Sequence, residues 1–377
     1  MEKLKLDVFP RLLHFKKPAG TSRGVYLTRK SWFVRITSID CPERDAWGEC
    51  APLPVLSCDD RPDYEDVLRC MCTAVEQWSV CGDPVEWEQP ETLDTIFSGF
   101  VPDWKSFPSI IFGLETAMRS WICRGLALWD TSFSRGEEGI QINGLIWMGD
   151  YDAMYRQIQT KMEAGYRCIK LKIGALDFER ELDLLRFIRS HFSASEVELR
   201  VDANGAFSPE DAVKRLCQLA ELDLHSIEQP IRAGQYDAMA RLTAETPLPI
   251  AFDEELIGIN TRQEKAELLD RLCPQYIVLK PSLHGGFLGC HEWIDEAEKR
   301  NIGWWITSAL ESNIGLNAIA QWCAYWKPQL PQGLGTGLLF TDNAQLPLEI
   351  RKDALWFAAD KQNSGAIATF VARTETF

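Results

Sequence analysis

The sequence predicts an α/β barrel that follows an α+β region. Two observations lead to this prediction. From residue 141 onward, short apolar strands alternate with helical stretches, and charged residues recur at the strand ends every 25 to 30 residues. That spacing matches one strand–helix unit, and seven or eight such units form a parallel barrel. The polar segment SRGEEG at 134–139 separates the repeat from the residues before it.

The first part of the chain mixes strand and helix patterns without a repeat. Alternating apolar residues predict a strand at 25–38, and apolar residues at helical spacing predict helices at 63–78 and 109–126. We therefore predict two domains, an α+β domain at 1–135 and a barrel domain at 136–339.

The second part of the chain can be assigned strand by strand. The predicted strands are 141–149, 168–174, 197–205, 225–231, 248–256, 276–282, 303–312 and 332–337. Predicted helices between the first of them are 152–165, 178–192 and 208–222. The last of these helices has a clear beginning, because Ser208 can cap its N-terminus and Pro209 suits its first position.

Composition narrows the class of protein. The net charge of −15 argues against a nucleic-acid partner, although local positive charge can still attract a small anionic substrate into a cleft. No apolar run approaches the roughly 18 residues of a membrane span, and the N-terminus does not resemble a signal peptide. The 12 cysteines are scattered without a CxxC pair, which favours reduced thiols and a cytoplasmic location.

The stretch IKLKIG at 169–174 places two lysines on one face of a strand. Lys170 and Lys172 alternate with aliphatic residues, a pattern that a solvent-exposed strand would also show. In a parallel barrel, however, the helices cover the outer face of every strand. The aliphatic face then packs against the helices, and the two lysines point into the barrel.

Three acidic residues end three successive predicted strands: Asp202, Glu228 and Asp253. Carboxylates that converge repel one another, and a hard divalent cation compensates them most simply. Oxygen ligands favour Mg²⁺, which Mn²⁺ may replace in an assay. The alternative is a purely structural salt-bridge network between these acids and the lysines of neighbouring strands, which is costly to bury.

Lys172 and Lys280 are expected on opposite sides of the barrel mouth, with the metal between them. Neighbouring cations disfavour a protonated ammonium, so a neutral lysine becomes accessible near neutral pH. Such an amine can remove the proton alpha to a metal-bound carboxylate, and the metal then stabilises the enediolate.

Five motifs carry a family resemblance: CIKLKIG, LRVDANGAF, SIEQPI, AFDEEL and VLKPSLHGG. Together they resemble the muconate-lactonizing subgroup of the enolase superfamily. The resemblance implies a modified TIM barrel close to (β/α)7β, with an α+β capping domain that the C-terminal tail 340–377 completes. It implies a Lys or His base with Mg²⁺. The implied roles are acid–base lysine for Lys172, its partner for Lys170, the lysine of the opposite face for Lys280, and metal ligands for Asp202, Glu228 and Asp253.

Within the subgroup, GECAPLPVLS, INGLIW, RVDANGA and ITSALESNIGL are most similar to a dehydratase of menaquinone biosynthesis. The implied reaction is the Mg²⁺-dependent syn-dehydration of 2-succinyl-6-hydroxy-2,4-cyclohexadiene-1-carboxylate through an enediolate. The implied substrate-binding residues are Arg23, Arg200, Asn204, Ser308 and Gly335, the last within GLGTG at 333–337. Arg200 and Asn204 fit equally well as hydrogen-bonding residues behind the site, and Arg23 as an ordinary exposed arginine. Two loops, 18–24 and 52–60, are expected to close over the barrel mouth.

Other reactions on the same scaffold share the catalytic set and remain alternatives: N-acylamino acid racemization, dipeptide epimerization and cycloisomerization. A non-catalytic binding barrel would be expected to lack a lysine or a ligand, and none is missing. A metal-dependent hydrolase would usually need histidine ligands, which the strand ends do not supply. The oligomeric state stays open.

Overall fold

The computed structural model of the protein describes residues 2–21, 24–337, 339–361 and 365–372. Its N-terminal part combines one antiparallel sheet with three helices. The strands lie in the order β1 (Leu4–Thr21), β2 (Gly24–Ser38) and β3 (Asp45–Cys50). The helices are α1 (Tyr64–Trp78), α2 (Pro90–Phe97) and α3 (Pro108–Cys123). Within the described ranges, no helix combines the length and apolarity needed to cross a membrane.

The long strand β1 was not predicted from the sequence. It contains Pro10, which lacks the backbone N–H that a central strand needs. In the structure β1 is the edge of its sheet, and Pro10 pairs in register with Trp32 of β2. Of the predicted loop 18–24, residues 18–21 belong to β1 and Gly24 begins β2, while 22 and 23 lie outside the described residues. The predicted loop 52–60 is confirmed as a loop, made of turns between β3 and α1.

The second part forms a parallel sheet in the predicted alternation. Seven strands lie side by side in sequence order, β5 (Gly144–Ile146), β6 (Cys168–Lys172), β7 (Glu198–Asp202), β8 (Ser226–Glu228), β9 (Ile250–Phe252), β10 (Tyr276–Leu279) and β11 (Gly303–Ile306). The helices that follow them are α4 (Tyr151–Glu163), α5 (Phe178–His191), α6 (Pro209–Ala220), α7 (Tyr236–Glu245), α8 (Arg262–Leu272), α9 (Gly286–Glu298) and α10 (Asn313–Trp326). Ser208 caps α6 as expected, its side chain accepting from the amide of Asp211.

The segment at 332–333 brings the two edges of this sheet together. Gln332 forms a parallel bridge with Ile142, just before β5, and Gly333 forms one with Thr307, just after β11. The predicted strand 332–337 is thus reduced to two bridges, but it lies where the eighth strand of a barrel belongs. Together with the parallel sheet, this arrangement confirms the predicted α/β barrel.

The lysine-bearing strand β6 shows how the barrel sorts its side chains. Ile169, Leu171 and Ile173 are fully buried in the large cluster formed with the surrounding helices. Lys170 and Lys172 take the opposite face and line the central cavity. The alternation therefore has the predicted meaning, with aliphatic side chains outside the barrel wall and ammonium groups inside it.

The C-terminal tail contacts both parts of the chain. Phe340 bridges Phe15 of β1, and helix α11 (Ala366–Ala372) contributes to an apolar cluster that includes Phe33 of β2. A hairpin of β12 (Leu348–Arg351) and β13 (Ala354–Phe357) pairs instead with β4 (Ile140–Gln141), next to the barrel. Thus only parts of the tail join the N-terminal sheet.

Candidate active site

The strand order brings the predicted acids and lysines to one end of the barrel. Asp202 ends β7, Glu228 ends β8, and Asp253 directly follows β9. Lys172 ends β6 and Lys280 directly follows β10, so the two lysines flank the three acids in the sheet. We call these five residues, with Lys170, the strand-end cluster. A parallel sheet collects such residues because all its strands end at the same edge.

A cavity of about 140 Å³ opens at this cluster. Its polar lining comprises Asn143, Lys161, Lys170, Lys172, Asp202, Asn204, Glu228, Glu254, Lys280, Thr307, Ser308 and Thr336. Its apolar lining includes Leu53 and Leu56 from the loop 52–60, together with Leu145, Trp147, Leu310 and Leu339. The loop therefore does reach the mouth of the barrel, as the sequence predicted.

The lysines of β6 bind the acids of the next two strands. Lys172 Nζ lies 2.9 Å from Asp202 Oδ2 and donates to Asn204 Oδ1 at 2.7 Å. Lys170 Nζ lies 3.1 Å from the same Asp202 oxygen and donates to Glu228. Asp202 thus receives both lysines, and Glu228 receives one.

On the other side of the cluster, Lys280 pairs with Asp253. The two side chains are hydrogen-bonded, and the Asp253 carboxylate is fully buried. The backbone amide of Lys280 donates to Nδ1 of the buried His284, 3.0 Å away, which fixes the start of this strand-end segment. Each of the two flanking lysines therefore holds a different acid.

Burial and charge act in opposite directions on these groups. Burial raises the pKa of Glu228 to about 8, and repulsion from Asp202 adds to the effect. Burial alone would also raise the pKa of Asp202, but the attraction of Lys170 and Lys172 holds it well below its ordinary value. The three acids are therefore not equivalent: Asp202 contacts two ammonium groups, and Glu228 and Asp253 contact one each.

The low pKa expected for Lys280 is not found. Burial by itself lowers the pKa of Lys170 and of Lys280, but the nearby acids outweigh it and raise both values. A cation bound to the same carboxylates would weaken that attraction and favour the neutral amines, as the sequence argument assumed. The sequence argument, which assumed a bound cation, stays a prediction.

Whether these acids fit a divalent cation can be tested on their free oxygens. Glu228 Oε1 and Asp253 Oδ1 are buried and have no hydrogen-bond partner within the described chain. Such oxygens are costly unless a ligand satisfies them, and oxygen-only donors suit Mg²⁺. As the side chains stand, no group of three acidic, His or Cys side chains in the described chain is close enough to hold a metal. The donor set therefore fits Mg²⁺ chemically.

The structure places some of the predicted substrate-binding residues at the cavity and others away from it. Asn204, Ser308 and Gly335 line the cavity, and the Ser308 hydroxyl lies 2.6 Å from that of Thr336. Arg200 is not among the residues that line the cavity, which agrees with the alternative that it lies behind the site. Although it shares the inward face of β7 with Asp202, it lies one layer deeper, where it binds Glu198 and packs 4.3 Å above the Trp305 ring. Arg23 lies outside the described residues.

Sequence reasoning missed several cavity residues. Glu254 follows Asp253 in the AFDEEL motif, and its carboxylate accepts a hydrogen bond from the side chain of Asn204 at 3.0 Å. An acidic residue directly after a predicted strand-end acid was the available sequence signal. Lys161 had no such signal, because a helix position does not show whether its side chain reaches the barrel mouth. Trp147 ends the INGLIW motif, which served only for the resemblance.

Comparison with known proteins agrees with this geometry. Residues 153–352 match the family model described as enolase C-terminal domain-like. The o-succinylbenzoate synthase of Desulfotalea psychrophila is 46% identical over 90% of this chain and 95% of its own. The L-Ala-D/L-Glu epimerase of Bacillus subtilis is 21% identical over 86% and 85%.

Among solved structures, MenC from Desulfotalea psychrophila superposes with a TM-score of 0.78 at 40% identity, covering 94% of this chain and 99% of its own. The N-succinyl Arg/Lys racemase from Bacillus cereus shares the fold, with a TM-score of 0.79 at 17% identity over 100% and 99%.

The fold and the cluster define a class of protein, a parallel barrel whose strand ends carry lysines on both sides of three acids. The comparisons identify the family to which this class of protein belongs. The chain belongs to the enolase superfamily.

Proposed function

We propose that this protein is an o-succinylbenzoate synthase, a hydro-lyase that removes water from 2-succinyl-6-hydroxy-2,4-cyclohexadiene-1-carboxylate in menaquinone biosynthesis. The observation that carries the proposal is the strand-end cluster, in which Lys172 and Lys280 flank three buried acids that border the barrel cavity. The 46% identity to a synthase supports the choice among the reactions of this superfamily. A cytoplasmic location remains a prediction.

In this proposal Asp202, Glu228 and Asp253 hold Mg²⁺, which Mn²⁺ would replace. When bound, the ion supplies positive charge that stabilises the enediolate form of the substrate's ring carboxylate. The unpartnered oxygens of Glu228 and Asp253 are the donors that the present contacts leave available.

Lys172 is the proposed acid–base residue. Its neutral amine takes the proton from C1 of the ring, and the electrons of that C–H bond move into the carboxylate to form the enediolate. The ammonium then returns the proton to the hydroxyl group on C6 of the same face. The C6–O bond breaks as the electrons move back, water leaves, and the ring becomes aromatic. Asn204, which accepts a hydrogen bond from Lys172 Nζ, orients the amine.

Lys280 is the proposed cation of the opposite face. As an ammonium it lies against the enediolate and stabilises its negative charge without moving a proton. It directly follows β10 and pairs with Asp253, across the strand-end cluster from Lys172. Lys170, bound to Asp202 and Glu228, is the proposed partner that keeps the acids and Lys172 in place.

The test is a panel of substrates with purified protein and Mg²⁺. The proposal expects the cyclohexadiene carboxylate to yield o-succinylbenzoate at least 100-fold more efficiently than N-acyl amino acids or dipeptides are racemized or epimerized, or muconate is lactonized, and expects excess chelator to abolish turnover. The 100-fold margin is a conservative threshold, because a site built to bind a polar group can reject substrates that lack it by roughly 10⁴- to 10⁵-fold. Efficient epimerization without dehydration would assign the cluster to the racemase or epimerase class instead.

A further inference from the structure

Lys161 is a cavity-lining lysine that does not belong to the strand-end cluster. It extends from helix α4, and the three other lysines of the cavity each bind an acid. Within the described chain Lys161 has no hydrogen bond and no ion pair, and its Nζ lies 4.4 Å from the centre of the Tyr166 ring. The cavity therefore contains one cation that no protein carboxylate neutralises in the part of the chain described.

The sequence makes room for this side chain at Gly144, the first residue of β5. A Cβ atom at Gly144 would lie 3.0 Å from Cδ of Lys161 and 3.0 Å from Cδ1 of Tyr166. Both distances are tighter than ordinary contacts, so a larger residue would displace the lysine stem or the ring. Glycine at this position and the ring of Tyr166 thus define the path of Lys161.

The surroundings of Lys161 suit a carboxylate better than solvent. Burial lowers the pKa of Lys161. No carboxylate within the described chain compensates the buried charge, so an anionic ligand would stabilise it. The neighbouring wall is polar. Asn143 comes directly before Gly144, and the backbone oxygen of Asn143 would lie 3.8 Å from a Cβ atom at Gly335. Thr336 follows Gly335, and its hydroxyl group contacts that of Ser308.

We propose that Lys161 is a specificity-determining residue that binds the second carboxylate of the substrate, the one on the succinyl chain. The inference rests on the proposed function, which supplies a dicarboxylate. The ring carboxylate is bonded to the carbon that loses its proton and must lie at the strand-end cluster. The succinyl carboxylate then lies away from the strand-end cluster and calls for a different cation. Lys161 lines the same cavity outside that cluster and pairs with no acid of the described chain.

A charged hydrogen bond of this kind contributes roughly 10- to 100-fold in affinity. It is made equally in the ground state and in the transition state, because the succinyl chain does not react. Its loss should therefore raise KM and leave kcat within about threefold. A group that only shapes the cavity would not distinguish ligands by their distal charge.

The experiment measures the affinity of two ligands in Mg²⁺ by calorimetry: the dicarboxylate o-succinylbenzoate and 2-butyrylbenzoate, which lacks the distal carboxylate. Lys161→Met removes the charge at similar volume. It should weaken o-succinylbenzoate roughly 10- to 100-fold and leave 2-butyrylbenzoate unchanged. Lys161→Arg should restore part of the affinity. Lys214→Met, on the exposed surface of α6, is the matched control.

Equal affinity of Lys161→Met and wild type for o-succinylbenzoate would overturn the inference. Equal weakening of both ligands would also overturn it, because it would indicate a change of cavity shape. Lys161→Gln serves if the methionine variant does not fold. Binding is measured apart from turnover, so a wild-type protein that prefers the dicarboxylate but does not dehydrate the substrate would refute the proposed function and leave the role of Lys161 standing.

Discussion

Two groups of buried acids in this molecule have opposite kinds of partners. At the strand ends, Asp202, Glu228 and Asp253 are held by lysine ammonium groups. Where the N-terminal region meets the barrel, Glu49 and Glu115 are held mainly by backbone amides and hydroxyl groups. Both groups are removed from solvent, so the difference lies in what satisfies the charge.

Glu49, near the end of β3, caps a helix of the barrel. Its carboxylate accepts hydrogen bonds from the amides of Ser312 at 2.9 Å and Gly315 at 3.0 Å, at the beginning of α10. It also accepts from the hydroxyls of Ser31 at 2.9 Å and Ser312 at 2.6 Å. The positive end of the helix dipole stabilises the charge further. Every oxygen of Glu49 is satisfied.

Glu115 of α3 repeats this arrangement at a second barrel helix. It accepts from the amides of Phe287 at 2.5 Å and Leu288 at 3.0 Å, in the first turn of α9. Both glutamates thus join the N-terminal region to the barrel through helix N-termini.

The comparison shows that burial alone does not identify a functional acid. Glu228 is as buried as Glu49, but it keeps an oxygen without a partner and its pKa is raised to about 8. An acid satisfied by backbone amides stabilises a fold, whereas an acid that lines a cavity and keeps an oxygen without a partner can bind a ligand. Stability and catalysis should accordingly depend on different acids.

The largest expected effect is on catalysis by the strand-end cluster. Lys172→Ala removes the residue proposed for both proton transfers, so kcat/KM should fall by about 10⁴-fold or more, at or beyond the top of the usual range for acid–base residues. Thermal stability should change little, because Lys172 lies at the cavity. Lys280→Ala should also be severe.

Hydrogen exchange separates the roles of the two lysines. In D₂O, an analogue that can enolise but not eliminate should lose exchange in Lys172→Ala and keep some in Lys280→Ala. Exchange that survives the first substitution and disappears with the second would reverse the assignment. Exchange at both faces in the wild type would favour a racemase.

A smaller effect, on stability, is expected at Glu49. In Glu49→Gln, an NH2 group replaces one of the accepting oxygens. This group cannot accept the hydrogen bonds of the donors that it faces. The free energy of unfolding should decrease by about 1–3 kcal/mol, as for other buried groups that lose a partner. Denaturant unfolding measures this change. Turnover per folded molecule should stay within about threefold of wild type, and a loss like that of Lys172→Ala would remove the distinction between the two groups of acids.

The smallest effect concerns pH dependence at Asp59, in the loop 52–60. Its carboxylate accepts from the amide and hydroxyl of Ser109, at 2.8 and 2.6 Å, and burial raises its pKa from an ordinary 3.8 to about 7. The folded protein therefore holds this proton more tightly than the unfolded chain does. Stability should decrease as pH rises from about 4 to about 7.

Asp59→Asn keeps an acceptor for Ser109 and is neutral at every pH. Unfolding measured across this range should show a smaller decrease for the variant, which gains stability relative to wild type at the upper end. Parallel stability curves for the two proteins would show that Asp59 is ionised throughout.

The sequence predicted the strand-end cluster well because the charge period and the strand period coincide. Lys172, Asp202, Glu228, Asp253 and Lys280 needed only the rule that parallel strands end together. The rest depended on depth and on distant contacts. Arg200 shares the inward face of its strand with Asp202, but alternation does not tell how deep a side chain lies. The helix caps formed by Glu49 and Glu115 join residues more than 170 positions apart. The stem of Lys161 passes close to residue 144, where glycine leaves room for it.

The most direct test of the contrast between the two groups is Mg²⁺ binding measured by calorimetry without substrate. The account predicts one site per chain, at least about 10-fold weaker in each of Asp202→Asn, Glu228→Gln and Asp253→Asn because each removes a charged ligand. Glu49→Gln should bind like wild type. Unchanged affinity in all three strand-end variants, or an equal loss in Glu49→Gln, would contradict the assignment of the metal to the strand-end cluster.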